Sequence, residues 1–137
     1  MGKLLLPPEY RSTLDIVETQ KAIRSLKTFI QNNLSQALNL KRVSAPLFVQ
    51  AETGLNDNLT GVETPVGFDL TKHPEMGRIE IVQSLAKWKR QALHEYGFEP
   101  GVGLYTDMNA IRPQEETDNL HSIYVDQWDW ELVMREE

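Results

Sequence analysis

His121-Ser122-Ile123-Tyr124-Val125-Asp126-Gln127-Trp128-Asp129-Trp130-Glu131 is the stretch of this 137-residue chain whose reading settles most about its fold. It reads as an extended run, and side chains alternate faces along a strand. Ile123, Val125, Gln127, Asp129 and Glu131 then share one face, and Ser122, Tyr124, Asp126, Trp128 and Trp130 the other. Two readings stay open for a row of Gln, Asp and Glu backed by two tryptophans. One is an edge strand with its polar side in water. The other is the floor of a pocket, whose carboxylates accept from an ammonium group or hold a metal that bridges phosphates.

Upstream, Leu104–Ile111 is a second extended run, and the polar loop Arg112–Asn119 between the two makes a hairpin. Further back, Ile79–Gln83 reads as a strand, and Ser84 as the cap of a helix from Ala86 to about Tyr96. Leu47–Gln50 is a short strand, with a weak hairpin through Val66 and Phe68. Between them lies a polar, glycine-punctuated loop, Glu52 to Gly61. A long amphipathic helix is expected from about Ser12 to Asn39. Ser12 and Asp15 form its capping box, and Ile16, Ile23, Leu26, Ile30, Leu34 and Leu38 make an apolar stripe. Such a stripe packs on a sheet or on a partner chain. The expectation is therefore α+β, a mainly antiparallel sheet with flanking helices, without repeats or an internal linker.

Several segments could carry chemistry. Ser84-Leu85-Ala86-Lys87-Trp88-Lys89-Arg90-Gln91 puts three cations into the first turn of a helix, where the free N–H groups already present positive partial charge. A bound carboxylate or phosphate would explain them, and a solvated basic face is the plain alternative. Arg112 at the strand end could grip a phosphate with two parallel hydrogen bonds, or be an ordinary loop arginine. Asp57 in Asn56-Asp57-Asn58-Leu59-Thr60-Gly61 could serve a ligand or simply make a turn.

Composition narrows the field. The chain has no cysteine, which excludes thiolate chemistry and disulfides. Its three histidines, at 73, 94 and 121, lack metal-ligand spacing, and no Walker loop, GxGxxG or His-Glu-x-x-His occurs. A net charge of −6 argues against nucleic acid as a partner. No apolar run approaches the roughly 20 residues of a membrane span, and the first residues are too weakly apolar for a secretory signal. The expected compartment is the cytoplasm.

Taken together, the segments resemble the bacterial ammonia-dependent asparagine synthetases. The resemblance rests on Asp57-Asn58-Leu59-Thr60-Gly61, Ser84 through Gln91, Gly103-Leu104-Tyr105-Thr106, Ile111-Arg112-Pro113 and His121 through Glu131. It covers about Pro8 to Met134, in order and with near-constant spacing. One departure is Gln83, where some members are expected to carry His. The resemblance implies the catalytic fold of class II aminoacyl-tRNA synthetases, with residues 1–137 as the N-terminal part of a single longer catalytic domain. It also implies that L-aspartate is activated by ATP with Mg²⁺ to a β-aspartyl-adenylate, from which ammonia displaces AMP.

Roles follow from the same resemblance. Arg112 meets the α-phosphate, and Ser122 and Val125 line the nucleotide. Lys89 holds a substrate carboxylate, and Gln127, Asp129 and Glu131 surround the aspartate. Asp57 lies near the β-carboxyl, to orient ammonium or accept its proton, while Ser84 and Lys87 belong to the same substrate motif. No residue is assigned as a metal ligand. The complete enzyme is expected to be a homodimer paired around the N-terminal helix and Pro46, with this part inactive alone. The alternative is a stand-alone, non-catalytic module that binds aspartate, asparagine or a partner.

Overall fold

The computed structural model describes residues 5–135. The elements run α1 (Ile16–Ala37), β1 (Leu40–Arg42), β2 (Phe48–Gln50), β3 (Gly67–Asp69), β4 (Arg78–Ile81), α2 (Ala86–Glu95), β5 (Gly103–Ile111) and β6 (Tyr124–Leu132). The class is α+β, as expected. Its strands form two three-stranded sheets, one ordered β1-β5-β6 and the other β2-β4-β3.

The expected hairpin is the backbone of the first sheet. β5 and β6 pair antiparallel over nine positions, from Gly103↔Leu132 to Ile111↔Tyr124. The weak hairpin near Val66 and Phe68 is also present, as β3 pairing antiparallel with β4. Absent from the sequence reading is β1, which lies parallel to β5 from Leu40↔Gly103 to Arg42↔Tyr105. Three residues directly behind a helix carry no legible alternation, so a mainly antiparallel expectation left them out.

Val82 joins the sheets. Its N–H donates to the Leu47 carbonyl at 3.1 Å, and its own carbonyl accepts from Ile111 N–H at 3.1 Å. Around it Val49, Leu85, Met108 and Ala110 form a buried cluster, against which Leu55, Trp88 and Val125 pack. A second cluster of Ala92, Leu93 and Leu104 shares Trp88 with the first. Together they bury the inner side of α2 on the sheet face of Leu104, Thr106, Met108 and Ala110. That is where burial removes most apolar surface from water.

Two helix starts differ from expectation. The capping box of α1 lies three residues later: Asp15 Oδ1 accepts from Glu18 N–H at 2.8 Å, and Glu18 Oε2 from Asp15 N–H at 3.2 Å. Ser12 instead donates to the Leu14 carbonyl, a local turn. The cap of α2 is not Ser84 either. Ala86 N–H donates to Asp57 Oδ2 at 2.7 Å, so a carboxylate from a distant loop satisfies the helix end.

The apolar stripe of α1 buries no residue within the described chain; Ile23, Leu26, Phe29 and Ile30 are all exposed. The attachment of α1 to the sheet is polar. Lys27 Nζ lies 3.1 Å from Asp107 and 3.0 Å from Asp126, and Gln31 Nε2 donates to Asp107 at 2.7 Å. The hydrogen bond that Lys27 donates to Asp126, supported by Asp107, raises the Lys27 pKa above its ordinary value. On the same sheet face the Tyr105 and Trp128 rings lie 5.1 Å apart.

The β5–β6 loop carries a second ion pair. His121 Nδ1 lies 2.9 Å from Asp118 Oδ1, which also accepts from the Leu120 and His121 N–H groups. Those hydrogen bonds, that of Leu120 first, hold the Asp118 carboxyl below its ordinary pKa, and Asp118 in turn raises that of His121.

Two predictions follow from this architecture. A Cβ at Gly103 would run into the Glu131 carbonyl and the Leu40 side chain, because β1 and β6 close on that position from both sides. Gly103→Ala is expected to cost about 2–3 kcal/mol, read as a lower midpoint in thermal or urea unfolding; an unchanged midpoint would refute the close approach. For the loop, the His121 contribution is complete below its unfolded pKa and is lost as pH rises through the raised folded value. That of Asp118 is complete above its ordinary value and is lost as pH falls through the lowered one. The loop pair is thus intact between those limits. An NMR titration is expected to place the His121 midpoint above 6.5, and Asp118→Asn to return it toward that value.

Candidate functional site

Three distant segments meet at the start of α2: the loop around Asp57, the connection from β4, and the middle of β6. The loop is fixed first. Asn56, 5% exposed, accepts the Gln83 N–H on its Oδ1 at 2.8 Å. Its Nδ2 donates to the Ile81 carbonyl and to Glu80 Oε2, each at 3.2 Å. Asp57 follows with its own N–H on the Ser84 carbonyl at 3.4 Å and its carboxylate on Ala86 N–H. Lys87 closes the same loop by donating to the Gly54 carbonyl at 3.1 Å and the Asn56 carbonyl at 3.5 Å.

Lys87 is thus held by carbonyl oxygens, and the other two cations of this helix start, Lys89 and Arg90, have anions supplied by the chain itself. One turn in, the Lys89 side chain is 3% exposed and its Nζ contacts Asp129 Oδ2 at 2.5 Å and Glu131 Oε2 at 3.5 Å. It also lies 3.4 Å from the Trp130 carbonyl. Arg90 reaches the other Glu131 oxygen at 3.2 Å from the outside. A buried ammonium needs such partners, since an unpaired charge away from water is very costly. Asp129 and Glu131 remain about a quarter exposed, so the cluster has a wet side.

The acidic row faces α2. Glu131, Asp129, Gln127 and Val125 stand opposite Leu104, Thr106, Met108 and Ala110, four of the five buried β5 positions. Gln127 Oε1 is buried and has no hydrogen-bond partner among the described residues. Val125 directs its side chain into the core cluster, and Ser122 is exposed just before β6. Arg112 leaves the end of β5 and turns back toward the loop. Its Nε donates to the Gln83 carbonyl at 3.3 Å, and one terminal nitrogen lies 4.0 Å from Glu115. The Arg112 side chain is 27% exposed.

Two groups follow from this. Lys89, Asp129 and Glu131 form one cluster with Arg90 at its rim. Asp57, Ser84, Lys87 and Arg112 form another, organised on Asn56 and Gln83. Sequence reasoning missed both organisers. Asn56 stood inside the quoted loop but looked like one turn residue among several, and Gln83 looked like the end of a strand. Asn56 signalled itself only as a polar residue directly beside a motif residue, and Gln83 also as a departure from the family pattern.

Among the described residues no three His, Cys, Asp or Glu side chains converge on a point. No helix among them is long and apolar enough to cross a membrane.

Comparison with known proteins agrees with this picture. The sequence profile of the aspartate-ammonia ligase family matches residues 17–137. An aspartate–ammonia ligase of Clostridium perfringens is 58% identical over 137 residues, which is 100% of this chain and 40% of the relative. The relative from Ruminiclostridium cellulolyticum is 59% identical over 134 residues, covering 98% of this chain and 40% of its own length. That from Bacillus thuringiensis is 59% identical over 128 residues, covering 93% of this chain and 38% of its own. The chain spans about 40% of the length of the curated relatives it matches. On the extent and level of that match, this chain belongs to the aspartate-ammonia ligase family.

Proposed function

We propose that the chain carries the aspartate side of an ATP-dependent ligase that makes L-asparagine from L-aspartate and ammonia. The observation that carries this reading is the meeting of a cationic helix start, an acidic strand and a strand-end arginine around the β4–α2 connection. Amino-acid activation needs those charges: cations for carboxylate and phosphate, anions for an amino group and an attacking amine. In this reading residues 1–137 are the N-terminal part of a class II synthetase-like catalytic domain. The complete enzyme is a cytoplasmic homodimer, and the exposed apolar stripe of α1 supports pairing through that helix.

In the first step the aspartate β-carboxylate oxygen attacks the α-phosphorus of ATP, and the bond to pyrophosphate breaks. Arg112 would neutralise charge building on the α-phosphate, with Ser122 and Val125 beside the nucleotide. Lys89 would share its charge between Asp129, Glu131 and a substrate carboxylate, and Gln127 would donate to the same ligand. Ser84 and Lys87 keep the loop against α2. In the second step the ammonia nitrogen attacks the β-carbonyl carbon, AMP leaves with the bonding pair, and Asp57 takes the proton released by nitrogen. Holding these groups in place supplies much of the acceleration, because no protein nucleophile is needed. Mg²⁺ would neutralise the triphosphate when bound.

The direct test is calorimetric titration of the chain with L-aspartate. Binding is expected, and Lys89→Met is expected to weaken it by at least about tenfold, or 1.4 kcal/mol, in protein whose melting curve remains cooperative. A chain that binds neither L-aspartate nor L-asparagine would sink the proposal. Release of AMP from ATP, Mg²⁺, L-aspartate and ammonium separates ligase from binding module. AMP lost in Arg112→Ala marks a catalytic set, whereas binding without AMP marks the aspartate side alone.

A further inference from the structure

We propose that Gln83 is the hydrogen-bond acceptor that positions the ammonia nitrogen, and the carboxamide nitrogen it becomes, at this site. The proposal rests on the ligase reading above and adds a residue to it. Gln83 is 1% exposed, and its Oε1 is buried without a hydrogen-bond partner among the described residues. Every other polar atom of the residue is used. The backbone N–H donates to Asn56 Oδ1 at 2.8 Å, and the backbone carbonyl accepts from Arg112 Nε at 3.3 Å. The side-chain Nε2 donates to the Asp57 carbonyl at 3.4 Å. That last contact fixes which way the amide points, because a flip would set two carbonyl oxygens against each other.

A buried acceptor left over in this way calls for a donor. Carboxylates and phosphates carry no proton at neutral pH and cannot serve, which removes the aspartate side chain and the ATP phosphates. Ammonia and a carboxamide can. Position favours them over the α-amino group: Gln83 holds on one side Arg112, assigned to the α-phosphate, and on the other Asp57, assigned to the attacking nitrogen. In this reading the amide oxygen belongs to the residue that links the two groups between which the new C–N bond forms. Gln83 acts as a positioning residue there, and it favours an –NH₂ over a carboxylate oxygen at the same spot.

Calorimetric titrations with L-asparagine and L-aspartate test this on the chain, on Gln83→Met and on Gln83→Glu. Gln83→Met is expected to weaken L-asparagine about tenfold and to leave L-aspartate nearly unchanged. A carboxylate in Gln83→Glu repels L-aspartate, so preference for L-asparagine is expected to rise. In unsubstituted protein the Gln83 side-chain carbonyl carbon resonance is expected to move with L-asparagine and to stay with L-aspartate, a readout independent of whether a variant folds. Equal loss of both ligands in Gln83→Met would assign the acceptor to the α-amino group and overturn the proposal. So would an unchanged ratio in either variant, or a stationary resonance. In those cases the ligase reading stands, since the chain still binds. A chain that binds neither amino acid overturns both.

Discussion

The ammonium of Lys89, held out of water between α2 and β6, is the constraint on which the rest of the molecule depends. Its side chain is 3% exposed, and the carboxylates of Asp129 and Glu131 are the groups that make such burial tolerable. This single contact sets the rotation of α2 about its axis and the register of β6 beneath it. Slipping β6 by one residue would carry both acids to the opposite face and leave the cation alone. Apolar packing by Trp88, Ala92 and Leu93 holds the helix down, but packing alone tolerates small rotations that an ion pair does not.

Around that fixed point, polar organisers join elements that would otherwise touch only through side-chain contact. Val82 shares backbone hydrogen bonds with both sheets, so the smaller sheet cannot shift without disturbing the end of β5. Asn56 and Gln83 then transmit the position of that junction to the loop and to Arg112. Each is buried and polar, and a buried polar group is well placed only in one arrangement.

Local order was legible in the sequence, whereas long-range partnership was not. The alternation from Ile123 to Glu131 correctly put Gln127, Asp129 and Glu131 on one face, because strand geometry leaves no other choice. The same rule could not say which cation would meet them. Lys89, for which the sequence alone leaves a bound anion and a solvated face open, reaches across the fold to those very acids. The α2 cap escaped for a similar reason: the sequence offered Ser84 next door, and the structure uses Asp57, 29 residues away. β1 escaped because its pairing with Gly103 is nonlocal and its three residues are too few to show a period. At the candidate site, the motif residues come from the family resemblance, and the organisers Asn56 and Gln83 were not legible, since their burial is a property of the assembled fold.

The reach of the Asp57 carboxylate to Ala86 N–H has a dynamic side. A helix end capped by its own neighbour frays independently of the rest of the molecule. Here the loop and the first turn of α2 open as one unit, because neither can leave without exposing the other's polar group. Exchange of the Ala86 amide with solvent deuterium thus reports the opening of a loop 29 residues earlier in the chain.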